Sequence, residues 1–171
     1  MTEQAIPEVE LSVDALLAAA SEATGLSDFG DDSFREPMAV LVKALNEEAN
    51  LNAAGRYGQY ERILNILINR LRVEAWIAKH PEILDEKVLA PVVIVGLQRT
   101  GSTYTHRILA SDQRFFAPLW YEVRNPAPAL DWDFKSKDAR ITSAEAEVAA
   151  MLEAECHGGL NHAFDLFKIT Q

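Results

Sequence analysis

From Val9 to Lys79 the apolar residues recur at steps of three and four, whereas from Val92 to Val95 they run without a break. The first spacing is that of helices with one buried stripe, and the second is that of a strand covered on both faces. Val9, Val13, Leu16, Leu17 and Ala20 share one helical face, and Gly25 supplies a stop. Gly30-Asp-Asp-Ser33 is a turn cluster, and Pro37 suits the first turn of a helix reaching about Asn50. Tyr60 to Lys79 is the strongest helical pattern, with Ile63, Leu64, Leu67, Ile68, Leu71, Ala75 and Trp76 in register and His80-Pro81 ending it. Core packing is the role expected of that stripe.

Beyond Val95 a helix is expected over Ser102 to Ala110, then a second strand over Phe115 to Tyr121, and a rigid connection at Asn125-Pro-Ala-Pro128. Thr142-Ser-Ala-Glu145 has capping-box spacing and predicts a helix from 142 to about 155, stopped by His157-Gly158-Gly159. The expected fold is therefore α/β. A parallel sheet of the P-loop nucleotide-binding (NTPase-like) kind follows a helical N-terminal leader. Residues 1–27 read as a helical arm and 28–171 as a partial α/β domain. That domain holds a helical lead-in at 36–79, the strand–loop–helix at 92–110 and the later helix at 142–155.

Composition narrows the function classes. The chain has 171 residues, 49% of them hydrophobic and 25% charged, which suits a folded globular domain. The longest apolar run, Val88 to Leu97, holds a proline and is too short to span a bilayer. The N-terminus is acidic and lacks the basic start of a signal peptide. Cys156 is the one cysteine, so no internal disulfide is expected and the cytoplasm is the expected location. A net charge of −10 argues against nucleic acid as a partner. Between Gly96 and Arg124, however, Arg99, Arg107, Arg114 and Arg124 face only Asp112 and Glu122. Such a cationic island in an acidic chain suits a small anion, although scattered surface arginines would read the same way.

The strand–loop–helix is where that anion would sit. Gly96 allows a tight turn, Gly101 allows close backbone approach, and a helix starting at Ser102 offers unpaired N–H groups and the positive end of its dipole. Ser102 and Thr103 add hydroxyl donors, and Arg99 adds a planar guanidinium. A loop for ATP or GTP places lysine directly after the second glycine; here that position is Ser102.

Gly96-Leu-Gln-Arg-Thr-Gly-Ser-Thr103 resembles the 5′-phosphosulfate-binding loop of sulfotransferases. Asp28-Phe-Gly-Asp-Asp-Ser-Phe-Arg-Glu-Pro37, Asn69-Arg-Leu-Arg72, His106-Arg-Ile-Leu-Ala110 and Trp120-Tyr-Glu122 resemble a bacterial branch of that family, over roughly residues 28–153. Gln98 departs from the proline usual in the family's loop and removes no ligand group. The resemblance implies that Gly96, Arg99, Thr100, Gly101, Ser102 and Thr103 hold 3′-phosphoadenosine 5′-phosphosulfate (PAPS), with no metal. It further implies that Arg99 stabilises charge on the leaving oxygen, and that a carboxylate such as Glu122 takes the proton of a small-molecule hydroxyl acceptor. The other reading of Glu122 is a surface group paired with Arg124, and His106 reads as a packing residue. Cys156, His157 and His162 do not have the spacing of a metal site.

No element for the 3′-phosphate is recognisable after residue 125, so the chain reads as the N-terminal part of such a domain and is expected to be inactive alone. Self-association stays open. An atypical nucleotide-binding or kinase-like protein, and a non-catalytic helical interaction module with a vestigial loop, are the other classes open to this sequence.

Overall fold

Ser12 starts the first helix by accepting the backbone N–H of Ala15 on its hydroxyl, and α1 (Val13–Thr24) follows. Gly25 ends it in the left-handed conformation, φ 69°, with its N–H on the Ser21 carbonyl at 2.8 Å. The expected stripe holds for Leu16, Leu17 and Ala20, all buried, whereas Val9 lies ahead of the helix. The computed structural model describes residues 6–156, which group into two units, Met1–Leu84 and Asp85–Gln171. Among the described residues, no helix is long and apolar enough to cross a membrane.

In the first unit a short 3-10 turn, Asp32–Phe34, leads into α2 (Arg35–Glu47), and Pro37 lies in that helix's first turn. The next helix, α3 (Ala53–Lys79), begins at Ala53 rather than at Tyr60. Asn52 is the reason: its side chain accepts the Gly55 N–H at 2.8 Å, and this cap starts the helix despite glycines at 55 and 58. His80 closes α3, as the following proline requires, and a 3-10 turn spans Pro81–Asp85.

Leu16, Leu17 and Ala20 of α1 meet Ile63, Leu67 and Leu71 of α3, with Met38 and Val42 of α2 completing the cluster. Leu16 and Leu71 are wholly buried, and each such side chain stabilises the fold by about 1.5–3 kcal/mol. Arg70 then fastens the loop ahead of α2. Its guanidinium donates to the carbonyls of Phe29 and Asp31 and stacks over the Phe34 ring, 4.4 Å from the centroid. The motifs around Asp28–Pro37 and Asn69–Arg72 are thus parts of one structural joint.

The second unit differs from expectation. Among the described residues there is no strand: neither Val92–Val95 nor Phe115–Tyr121 pairs with anything. The expected parallel sheet is absent from the described residues. The physical reason is that a strand, unlike a helix, satisfies its backbone only through a neighbouring strand. Val92, Val93 and Val95 are accordingly 59%, 74% and 90% exposed. The helix after the loop, α4, runs over Ser102–Ala110 as expected. The second strand is replaced by an irregular stretch and a short helix, α5 (Trp120–Arg124).

The last helix, α6 (Ala139–Cys156), starts ahead of the Thr142 capping box. Asp138 is the cap that wins, because its carboxylate accepts the Arg140 backbone N–H at 2.9 Å and is held in place by the Arg140 guanidinium at 2.7 Å. The same guanidinium donates to the carbonyls of Asn125 at 2.8 Å and Pro126 at 3.1 Å, tying the proline connection to the helix start. Burial pushes the Asp138 carboxyl upward, but its bonds to Arg140 outweigh this and hold it below the ordinary carboxylate value. Ala127, Ala144 and Val148 are buried alongside. The expected helix stop at His157-Gly158-Gly159 lies outside the described residues.

Candidate functional site

The loop from Gly96 to Thr103 turns on two left-handed residues, Arg99 (φ 63°) and Gly101 (φ 83°), separated by Thr100. Glycine takes this conformation freely; arginine does so at a steric cost. A backbone that alternates in this way lines up N–H groups around a concavity suited to anions. Gly101 also stands as the N-cap of α4, and its carbonyl accepts the Thr105 N–H at 3.0 Å and the Thr105 hydroxyl at 3.2 Å. The first turn of α4 thereby starts beside the loop with no acidic residue in it.

The side chains of the loop divide into two groups. Thr100 donates its hydroxyl to the Leu97 carbonyl at 2.6 Å, and it packs so closely on Gly96 that an added Cβ there would lie 2.8 Å from its oxygen. Among the described residues Arg99, Ser102 and Thr103 make no side-chain hydrogen bond or ion pair, and all three are exposed.

The cationic island resolves into unequal members. Arg114 pairs with Asp112 at 2.6 Å, and that hydrogen bond holds the Asp112 carboxyl low and the Arg114 guanidinium high. Arg124 pairs with Glu147 at 2.9 Å, not with Glu122. Arg107, in the last turn of α4, is engaged as well. Arg99 is the member whose charge no described group neutralises.

Glu122 lies on α5, not past a strand end. Its Oε2 accepts the Leu119 N–H at 2.7 Å, which caps the helix carrying it. The Tyr121 hydroxyl approaches the other oxygen at 3.5 Å. Burial first, and then the Glu122 charge, push the Tyr121 phenol up. His106 is exposed on α4. His157 and His162 lie outside the described residues, and among the described residues no group of His, Cys, Asp and Glu has the arrangement of a metal site.

Sequence reasoning missed the Thr100 brace and the Glu122 cap. Both are bonds to backbone three residues away, visible in the sequence only as spacings that many loops share.

Comparison with known proteins gives the loop its context. Residues 91–168 match the model of the sulfotransferase family. Sulfotransferase STF1 from Mycobacterium tuberculosis H37Rv has 33% identity and a TM-score of 0.65, over 68% of this chain and 33% of its own. Sulfotransferase STF9 from Mycobacterium avium has 28% identity and a TM-score of 0.73, over 93% of this chain and 39% of its own. Comparison with curated proteins gives no significant match. The chain thus spans between a third and two fifths of these structural relatives. Residues 91–168, which hold the loop, thus match the sulfotransferase family, and the chain is similar to part of two mycobacterial sulfotransferases.

Proposed function

We propose that this chain carries the donor-binding part of a cytoplasmic sulfotransferase that moves a sulfuryl group from PAPS to the hydroxyl of a small molecule. The observation that carries the reading is the position of Arg99. A guanidinium that no described residue neutralises sits in a left-handed turn between two glycines, directly before the N-terminus of α4. The N–H groups of Gly101, Ser102 and Thr103, with the two hydroxyls, would hold the 5′-phosphosulfate oxygens. Gly96 gives the turn its clearance.

In the transfer, the acceptor oxygen bonds to sulfur as the bond from sulfur to the bridging phosphate oxygen breaks. The electron pair stays on that oxygen, and adenosine 3′,5′-bisphosphate leaves. Arg99 stabilises the charge building there and is too basic to give up a proton. Glu122 would receive the acceptor's proton on Oε1, since Oε2 is bound to the Leu119 N–H. In the complete α/β domain the apolar run Val92–Val95 would pair as a buried parallel strand and hold the loop at its carboxyl end.

Calorimetry on this chain tests the donor assignment. Adenosine 3′,5′-bisphosphate should bind, and ATP with Mg²⁺ should not. Magnesium-dependent ATP binding, or no binding of the bisphosphate, would overturn it.

A further inference from the structure

We propose that Thr100 is a positioning residue and not a ligand: its hydroxyl braces the loop so that Arg99 stays left-handed. This deepens the reading of the loop as an anion site and rests on it.

The hydroxyl of threonine has one proton to give. An oxyanion offers only acceptors, so a hydroxyl that serves it must donate. The Thr100 proton is already committed, at 2.6 Å, to the carbonyl of Leu97. The bond closes the turn from 97 to 100 around Arg99, the residue in that turn with an unfavourable backbone angle, φ 63°. A glycine at 99 would relax there without help. An arginine needs something to hold it, and the brace spans it.

Gly96 makes the same point from the other side. A Cβ on residue 96 would lie 2.8 Å from the Thr100 oxygen, closer than side chains tolerate. The space that glycine leaves at 96 is therefore filled by the brace, not reserved for the ligand. Ser102 and Thr103 differ, having no described hydrogen bond, and remain the donors of the loop. With the brace gone, Arg99 relaxes toward the ordinary backbone regions, and the turn that leads into the N–H groups of Gly101 and Ser102 changes its course.

The test uses the ligand-free, isotope-labelled 171-residue chain and its Thr100→Val and Thr100→Ser variants. Thr100 is exposed, so neither substitution removes buried packing. In the parent, Arg99 should give the strong intraresidue amide–Hα contact and Cα shift of a left-handed residue in NMR. Thr100→Ser should keep that signature and Thr100→Val should lose it. Gly96→Ala, which crowds the brace from the opposite side, should lose it too.

Affinity for adenosine 3′,5′-bisphosphate should fall roughly three- to tenfold in Thr100→Val, about one hydrogen bond, and recover in Thr100→Ser. If Thr100→Val weakens binding while Arg99 keeps its left-handed signature in the free chain, Thr100 is a ligand and the inference is overturned. It is equally overturned if Arg99 lacks that signature in the free parent. If the signature behaves as expected but neither the parent nor Thr100→Ser binds the bisphosphate, the brace stands and the donor assignment fails.

Discussion

The two units bury their apolar residues to very different degrees. In Met1–Leu84 the stripe Leu16, Leu17, Ile63, Leu67 and Leu71 of α1 and α3 is buried, with Leu16 and Leu71 at 0% exposure, and Ile66 on the other side of α3 is left exposed. In Asp85–Gln171, Val88, Leu89, Val93, Val95, Leu97 and Phe116 each expose more than 70% of their surface. Both stretches are comparably apolar, so composition does not explain the contrast. Secondary-structure type does. A helix bonds its own backbone and needs only one covered stripe, which a neighbouring helix close in sequence provides. The run around Val93 is patterned for two covered faces and two bonded edges, and those come from distant strands. The first unit is complete as a packing problem, and the second is half of one.

The largest effect that would test this contrast lies in the covered unit. Leu71→Ala should cost about 2–5 kcal/mol through lost burial and the cavity left behind. Hydrogen exchange should show α3 amides opening more often, with the amides of α6 unchanged. Equal loss of protection in both units would mean that they do not fold as separate bodies of structure.

Next comes the loop, where function and stability should separate. Arg99→Ala should weaken bisphosphate binding by about 1.5–3 kcal/mol, the range for bonds to charged groups. Arg99→Lys should lose less. The thermal midpoint should barely move, because the side chain is exposed and makes no described bond. If Arg99→Ala binds as well as the parent while Arg140→Ala does not, the donor site is elsewhere.

Within the second unit, Arg140 is the strongest local tie. Arg140→Ala removes the bidentate bond to Asp138 and two bonds to backbone carbonyls, and should cost about 1–3 kcal/mol in the protection of α6 amides. The pair also sets a pH dependence. The Asp138 carboxyl is lower in the folded chain than its ordinary 3.8, so the unfolded state binds its proton first as pH falls. The contribution is therefore fully present above 3.8 and fades as pH drops through the lower folded value. Asp138→Asn should flatten that acid limb in a series of denaturation curves. An unchanged slope would mean that other carboxylates, such as Asp133, dominate it.

These residues also mark what the sequence makes legible. The helices of the first unit follow from a local period and local caps, and Gly25, read as a stop, ends α1 in the left-handed conformation. Ala53 was harder, because Gly55 and Gly58 count against a helix until the Asn52 cap is weighed. The loop follows from its glycine spacing and its one cation. The start of α6 differs from the sequence expectation because Thr142 has the better local motif, whereas Asp138 wins through Arg140 and the carbonyls of Asn125 and Pro126. The strand at Val92–Val95 shows the deepest reason. Its period is written locally, but its partners are not.

The smallest expected effect separates the two explanations of that strand. Val93→Asp places a charge on a side chain that is 74% exposed. In this chain it should change stability by less than about 0.5 kcal/mol, as surface substitutions away from special features do. If the run is instead buried by pairing with another segment, an unpartnered carboxylate there would cost several kcal/mol. Chemical denaturation of the two proteins, followed by the exchange of amides in residues 92–95, distinguishes the cases. An unchanged midpoint with fast exchange keeps Val93 as an unpaired position. A large loss with slow exchange in the parent would show that the run already has a neighbour. The contrast between the two units would then reflect an unrecognised pairing instead of a missing one.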